Sequence, residues 1–205
     1  MPKTMSQEDC CSILGVSRET SYKFKKYIDI LSSWQRNLNL VGKSTLLDPW
    51  RRHVLDCGQV VKFIKSGKEP VLDLGSGAGL PGIIISIMGV KNVKLIESDK
   101  KKAVFLREVS RLFDLSTAVF DERIETLPPM KPRIIVSRAL GAIDNILYLS
   151  KKQITDKTEV IQFVGENESK EIGKQKLNKF NIKSTSCKTY QSITREKSKI
   201  VVYSF

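Results

Sequence analysis

A chain of 205 residues that is 40% hydrophobic and 28% charged is long enough for one α/β domain with a buried core, and its composition excludes intrinsic disorder. Thirty-five Lys and Arg against 22 Asp and Glu give a net charge of +13, which favours an anionic partner such as nucleic acid; a solubilising basic surface is the alternative. No segment approaches the roughly 20 apolar residues of a membrane span, and the amino terminus lacks the apolar core of a signal peptide, so we expect a cytoplasmic protein that enters no membrane.

The first part of the chain predicts helices. Apolar residues recur at three- and four-residue steps over residues 21–40, the pattern of an amphipathic helix with one buried face. A second helix is predicted over residues 49–64, with Pro49 in its first turn. We therefore assign residues 1–68 to an α-helical extension.

From residue 69 onward, short apolar runs alternate with helical patterns. Seven runs predict strands, at residues 71–74, 93–97, 117–120, 134–136, 159–164, 183–190 and 199–203. The first five alternate with helices, one of them beginning near residue 144, and a lysine-rich helix near residues 169–179 follows the fifth. This alternation is typical of βαβ units. We expect residues 69–205 to form a seven-stranded, mostly parallel, doubly wound Rossmann-like α/β sheet.

A glycine-rich turn, residues 75–82 (GSGAGLPG), follows the first strand and opens a helix. Glycines there allow a tight turn and let a ligand approach the backbone. Two cofactors compete for this turn. The spacing G-x-G-x-x-G that begins at Gly77 is typical of dinucleotide sites, whereas D-x-G-x-G-x-G beginning at Asp73 is typical of S-adenosylmethionine sites.

Two carboxylates flank the turn. Asp73 suits the cationic amino group of methionine, directly or through water, and would repel the pyrophosphate of a dinucleotide. Such a charge-assisted hydrogen bond contributes about 1.5–3 kcal/mol. Glu97, twenty residues after Gly77, is placed to accept hydrogen bonds from ribose hydroxyls, as in both cofactor classes. The pattern favours S-adenosylmethionine, and a pair of solvated strand-end carboxylates is the alternative.

The residue types that are missing constrain the methylated atom. Methylation of pyrimidine carbon-5 needs a nucleophilic cysteine, but none of the four cysteines lies near the fourth strand; we expect all four to be free thiols. The Asn/Asp-Pro-Pro-aromatic loop common in exocyclic-amine methylation is replaced by Val-Ser-Arg-Ala at residues 136–139. Nitrogen-7 of guanine carries no proton and presents an in-plane lone pair. It requires no general base, which fits this sequence.

Three side chains are candidates for positioning a substrate, and none is assigned as catalytic with certainty. His53 is the only histidine, and a structural hydrogen-bonding role is favoured over substrate contact. Arg123 and Arg138 follow the third and fourth strands, at the carboxyl edge where open sheets bind ligands. Surface ion pairs are their alternative. Lysines at residues 100–102 are candidates for RNA phosphate contact, with a solvated helix face as the alternative.

Four segments, taken in order, resemble a known family. They are residues 39–41 (NLV), 53–56 (HVLD), 73–82 (DLGSGAGLPG) and 136–139 (VSRA). Together they resemble the bacterial 16S ribosomal RNA guanine-N(7) methyltransferases, also called glucose-inhibited division protein B. The similarity extends over about residues 27–140, and the last third of the chain matches only in length and strand pattern.

The resemblance implies a class I methyltransferase fold and methylation of one guanosine of 16S ribosomal RNA, either free or in the small ribosomal subunit. It also implies S-adenosylmethionine contacts at Gly75, Leu80, Ile124, Glu125 and Arg138. We expect a monomer that binds no metal. Two other functions remain open: an NAD-dependent oxidoreductase, which lacks a recognisable acid/base pair for hydride transfer, and a non-catalytic RNA-binding factor with a retained pocket.

The chain departs from the family at two places. Pro132-Arg133 stands where the family often has Phe-Asp before the fourth strand, which removes an acid near the sheet edge. Cys57 stands where the family usually has serine, a change that keeps the size of the side chain.

Overall fold

Seven strands form one sheet in the computed structural model, which describes residues 4–65, 67–138, 140–165 and 186–205. The strands are β1 (Val71–Leu74), β2 (Val93–Ile96), β3 (Thr117–Phe120), β4 (Ile134–Ser137), β5 (Glu159–Val164), β6 (Ser186–Gln191) and β7 (Lys199–Ser204). Their order is β3-β2-β1-β4-β5-β7-β6. Strands β1 to β5 are parallel, and β7 runs antiparallel to β5 and β6. The predicted seven-stranded, mostly parallel sheet is confirmed.

Helices cover the sheet. They are α1 (Gln7–Leu14), α2 (Arg18–Trp34), α3 (Asp56–Gly58), α4 (Gly82–Ile87), α5 (Lys100–Leu112) and α6 (Ile143–Ser150). Alternate residues of each strand point to opposite faces, so β1 supplies Val71 to one apolar core and Leu72 to the other. The first core also holds α2, α4 and α5, while α6 packs on the second. No helix within the described ranges is long and apolar enough to cross a bilayer.

The predicted strands β1 to β5 agree with the observed bounds to within one residue, but both predicted amino-terminal helices differ. Helix α2 begins at Arg18, because the Ser17 side chain caps it, and ends at Trp34 rather than continuing to residue 40. The predicted helix at residues 49–64 is divided into a π-helical turn (Trp50–Leu55), α3 and a 3-10 turn (Val61–Phe63). The lysine-rich helix predicted near residues 169–179 lies outside the described residues.

The amino-terminal helices share a core with the sheet. Phe24, Tyr27 and Leu31 lie on one face of α2 and are completely buried. The Tyr27 hydroxyl donates a 2.7 Å hydrogen bond to the carbonyl oxygen of Ala78, in the middle of the glycine turn. Helix α2 is therefore bonded directly to the turn that opens α4.

Replacing Tyr27 by Phe leaves the buried Ala78 carbonyl without this donor, so we expect the free energy of unfolding to fall by about 1–2 kcal/mol. Urea denaturation followed by circular dichroism measures the change. Tyr22, which lies on the same helix and is 65% exposed, supplies the control Tyr22→Phe, for which we expect no measurable change. Equal effects from the two substitutions would contradict a structural role for the Tyr27 hydroxyl.

Candidate cofactor and substrate site

The glycine turn begins where β1 ends. The backbone enters the left-handed region at Gly75 (φ +67°) and Gly77 (φ +54°), which favours glycine at both positions. The N–H groups of Gly75 and Ser76 both donate to the carbonyl oxygen of Ile96, each at 3.0 Å, so the turn is fixed to the end of β2. A Cβ atom on Gly75 would lie 3.1 Å from the side chain of Leu140. A larger residue would therefore crowd the space above the turn.

Asp73 lies beneath the turn and is fully buried. Its Oδ2 accepts a 3.0 Å hydrogen bond from the N–H of Gly82, whereas Oδ1 is buried without a hydrogen-bond partner among the described residues. Burial raises the pKa of Asp73 to about 7, although the hydrogen bond from the Gly82 N–H opposes this shift. A buried carboxylate with an unused acceptor is suited to a cationic ligand group, as expected for the amino group of methionine.

Glu97 follows β2 directly and is almost buried. Its Oε2 accepts a 2.8 Å hydrogen bond from the N–H of Gly77, and its Oε1 accepts one of 2.8 Å from the N–H of Asp99. The carboxylate thus ties the glycine turn to the loop before α5. This structural role of Glu97 was not predicted. Its contact with the ribose stays a prediction, and the remaining lone pairs of the two carboxylate oxygens are free to accept those hydrogen bonds.

Two pockets meet at Gly75, on either side of the turn. The first, the His53 pocket, has a volume of about 210 Å³ and is lined by Leu40, Val41, Gly42, Thr45, His53, Gly75, Ser76, Gly77, Ala78, Leu80 and Arg138. The second, the Ile124 pocket, measures about 130 Å³ and includes Leu74, Gly75, Ile96, Glu97, Ser98, Arg123, Ile124, Glu125 and Leu140. Every predicted site residue lines one of them except Asp73, which lies beneath.

Arg138 joins the sheet to the amino-terminal helices. Its Nη2 lies 3.2 Å from Asp56 Oδ2 and donates a 2.6 Å hydrogen bond to the carbonyl oxygen of Arg52. Its Nη1 lies 3.4 Å from the sulfur of Cys57 and 3.5 Å from Nδ1 of His53. The side chains of Arg138 and Asp56 are only 18% and 16% exposed. The alternative of a surface ion pair is therefore wrong for Arg138.

His53 is buried between Arg138 and Thr45. Its Nε2 lies 3.0 Å from the hydroxyl of Thr45, which donates its own proton to the carbonyl oxygen of Gly42 at 2.6 Å. This network assigns the ring proton to Nε2 and leaves Nδ1 as an acceptor for Arg138. Burial and the nearby guanidinium groups lower the pKa of His53 to about 3. The ring is therefore neutral at physiological pH, in agreement with the favoured structural role.

The loop after β3 borders the Ile124 pocket. Arg123 is exposed at the rim, and the 3-10 turn Ile124–Thr126 begins immediately after it. Ile124 is buried, and the carbonyl oxygen of Glu125 accepts a 3.0 Å hydrogen bond from Lys152. Arg123 lines only this pocket, so the structure separates it from His53 and Arg138.

Pro132-Arg133 lies at the amino end of β4, opposite the edge that carries the site. The Arg133 N–H donates to the carbonyl oxygen of Pro70, just before β1, and the Pro132 carbonyl accepts a hydrogen bond from Thr158. The loss of an acid at this position is therefore remote from the two pockets. Cys57, the other departure, is buried with its sulfur 3.4 Å from Nη1 of Arg138, the residue that follows β4, so the expectation that no cysteine lies near the fourth strand is wrong. Burial raises the pKa of its thiol to about 12, which disfavours the thiolate that a nucleophile requires.

Sequence reasoning missed several residues that build the site. Thr45 orients His53, Asp56 pairs with Arg138, and Leu140 covers Gly75. Only Asp56 carried a signal, as the last residue of the His-Val-Leu-Asp segment. The others come together through contacts between distant parts of the chain, which no local pattern marks.

Comparison with known proteins identifies the family. The model of the GidB family, described as rRNA small subunit methyltransferase G, matches residues 20–201. The chain belongs to this family. A relative from Orientia tsutsugamushi (strain Ikeda) is 42% identical over 188 residues, 91% of each chain, and one from Paramagnetospirillum magneticum is 43% identical over 143 residues, 70% of each chain. Both are named ribosomal RNA small subunit methyltransferase G.

Solved structures show the same fold at low sequence identity. A SAM-dependent methyltransferase from Aquifex aeolicus superposes with a TM-score of 0.59 at 19% identity, covering 78% of this chain and 95% of that one. A ribosomal protein L11 methylase from Lactobacillus delbrueckii gives 0.56 at 15% identity, covering 73% and 76%. The family and the fold confirm the interpretation as an S-adenosylmethionine-dependent methyltransferase over a dinucleotide-dependent oxidoreductase.

Replacing Arg138 by Met in this methyltransferase leaves the largely buried carboxylate of Asp56 without its cation. Breaking a buried pair in this way costs about 3–5 kcal/mol, so we expect a loss of this order in the free energy of unfolding from denaturant titration. The control Arg107→Met breaks the pair with Asp121, whose side chains are 46% and 38% exposed, and should cost at most about 1 kcal/mol. Similar losses from both variants would contradict the joining role of Arg138.

The low pKa of His53 makes stability depend on pH. An unfolded histidine binds a proton below about pH 6.5, whereas folded His53 does so only near 3. The contribution of neutral His53 to the free energy of unfolding is therefore complete above the pKa of the unfolded histidine. It is lost as the pH falls, by about 3 kcal/mol at pH 4. Asp73, whose pKa is raised, contributes with the opposite sign. The difference between the wild type and His53→Gln isolates His53, because Asp73 is common to both.

We expect this difference in free energy of unfolding to shrink steadily from pH 7 to pH 4. Because the chain has one histidine, NMR of the imidazole gives a direct second measurement. A ring that titrates near pH 6.5 in the folded protein would rule out the buried neutral tautomer.

Proposed function

We propose that this methyltransferase transfers a methyl group to nitrogen-7 of a guanosine in 16S small-subunit ribosomal RNA. The chemistry of the His53 pocket carries this proposal. Among its lining residues there is no carboxylate, cysteine or lysine, and its one histidine is neutral, with both ring nitrogens engaged. The pocket can position a base but offers no general base and no nucleophile. Guanine nitrogen-7 is an atom that needs neither, since its lone pair already lies in the plane of the ring.

S-adenosylmethionine, when bound, supplies a sulfonium methyl group for in-line displacement. The two pockets and the glycine turn between them, together called the cleft, support the predicted cofactor contacts. The unpartnered Oδ1 of Asp73 suits the amino group, and Glu97 and the turn at Gly77 border the region expected for the ribose. The Ile124 pocket offers apolar side chains for the faces of adenine, from Leu74, Ile96, Ile124 and Leu140, with Glu125 on its wall. Leu80 and Arg138, two other predicted contacts, line the His53 pocket.

An RNA substrate is supported by charge and by the relatives. The chain carries a net charge of +13, and phosphate contacts dominate the affinity of most proteins that bind nucleic acid. Its relatives are named for small-subunit ribosomal RNA. We propose that the enzyme acts as a monomer on this RNA, either free or within the small ribosomal subunit.

Methyl-tritiated S-adenosylmethionine tests the proposal with small subunits, and with protein-free 16S RNA, from a strain that lacks the modification. Nucleoside analysis should place the label in 7-methylguanosine at one site. Label in another nucleoside would overturn the assignment of the guanine atom, and no label on either substrate would overturn the assignment of the RNA.

The variant Gly75→Val tests the position of the cofactor site. It should abolish cofactor binding while RNA affinity is retained, because the new side chain enters the space above the turn. Gly89→Val is the control, since Gly89 also has a positive φ (+99°) but has open space around it and lines neither pocket. Retained cofactor binding by Gly75→Val would contradict the position of the site.

A further inference from the structure

A groove lies beside the cofactor cleft, between the end of α2 and the start of α5. Its volume is about 470 Å³, and it is lined by Ser33, Trp34, Asn37, Leu38, Lys101 and Val104. We propose that this groove binds an unpaired nucleotide of the RNA substrate adjacent to the methylated guanosine. The inference rests on the proposed function, because it assumes that the anionic partner is RNA.

The apolar part of the groove suits the face of a nucleobase. The Trp34 indole packs edge-on against Phe105, with ring centroids 5.4 Å apart, so it is held in place while half-buried. Val104 is 52% exposed on the outer side of α5, although most apolar residues of that helix face the core. Stacking of bases on aromatic side chains tolerates any base, because each base has a π-face. The exposed amide of Asn37 adds a donor and an acceptor for the edge of a base.

The charged part of the groove suits a phosphate. Three consecutive lysines, residues 100–102, occupy the first turn of α5, which contains no acidic residue, and Lys101 is the one that lines the groove. Cations at the amino end of a helix are unfavourable, because the helix dipole is positive there. Neither Lys101 nor Lys102 forms an ion pair with any residue in the described ranges. Asp99, which caps the helix, accepts hydrogen bonds from the backbone N–H groups of Lys101 and Lys102 and not from their ammonium groups. The Lys101 ammonium beside the apolar wall is therefore complementary to a nucleotide and not to a purely apolar peptide.

Both walls of the groove continue into the cleft. The chain that provides Leu38 runs on through Leu40 and Val41, which line the His53 pocket. The first turn of α5 is connected through Asp99 to Glu97, whose other oxygen holds the glycine turn. A guanosine in the His53 pocket would therefore place its neighbouring nucleotide at the groove.

Substitutions in the groove test the proposal against matched substitutions elsewhere. We expect Val104→Asp and Lys101→Ala each to lower kcat/KM for methylation of protein-free 16S RNA by about tenfold, mainly through KM, with unchanged S-adenosylmethionine affinity by calorimetry. Ile13→Asp is the control for the first, because Ile13 is 56% exposed on α1, and Lys157→Ala for the second, at the opposite edge of the sheet. Groove variants that match their controls would overturn the proposal.

A binding measurement separates this inference from the proposed function. The chain has two tryptophans, so Trp50→Phe leaves Trp34 as the only indole fluorophore. We expect a single-stranded RNA oligonucleotide to quench this fluorescence. We expect Val104→Asp to raise the dissociation constant obtained from the quenching about tenfold. If the wild type methylates no RNA but the quenching persists, the groove stands and the proposed function fails. Absence of quenching would overturn RNA as the occupant of the groove. Groove variants that impair methylation only of assembled subunits would also overturn it, and would indicate that the groove binds a ribosomal protein.

Discussion

The buried carboxylate of Asp73 is the constraint on which the site depends. One oxygen holds the start of α4 through Gly82, where a Cβ would come within 2.6 Å of the carboxylate, so the helix can approach the strand only if this residue is glycine. The other oxygen has no partner among the described residues. Burial of an incompletely bonded carboxylate is unfavourable, which is reflected in its raised pKa. A cationic group of the cofactor would offset that cost, so stability and binding are linked at this one side chain.

The second requirement is that the amino-terminal helices dock on the sheet. The helices and loops of this amino-terminal segment supply Leu40, Thr45 and His53 to one wall of the His53 pocket, and Arg138 supplies the connection from the sheet. Asp56 links this connection to the β6–β7 turn, since its Oδ1 accepts a 2.7 Å hydrogen bond from Thr194. Three distant segments therefore meet at one mostly buried ion pair. The His53 pocket therefore forms only when the amino-terminal segment has docked on the sheet.

Local sequence patterns predicted the strands and the glycine turn, whose structures depend on residues that are close together in the sequence. The strands from β1 to β5 were correct to within one residue, because short apolar runs between turns report directly on burial. The glycine turn and its two acids were located because their spacing is fixed by the backbone. The early end of α2 was not predictable, since it depends on the Gln35 side chain, which bonds the backbone N–H groups of Leu40 and Val41. Likewise, no pattern pairs His53 with Arg138, 85 residues apart in sequence.

Calorimetry of S-adenosylmethionine binding at pH 6.5, in two buffers that differ in ionisation enthalpy, tests the role of Asp73 most directly. With a pKa of about 7, Asp73 is mostly protonated before binding, and a cationic group beside it lowers that pKa. We expect the observed enthalpy to differ between the buffers by the release of most of one proton, the affinity to rise with pH, and Asp73→Asn to abolish both effects. Equal enthalpies in the two buffers, with binding intact, would contradict the placement of the cofactor's amino group at Asp73.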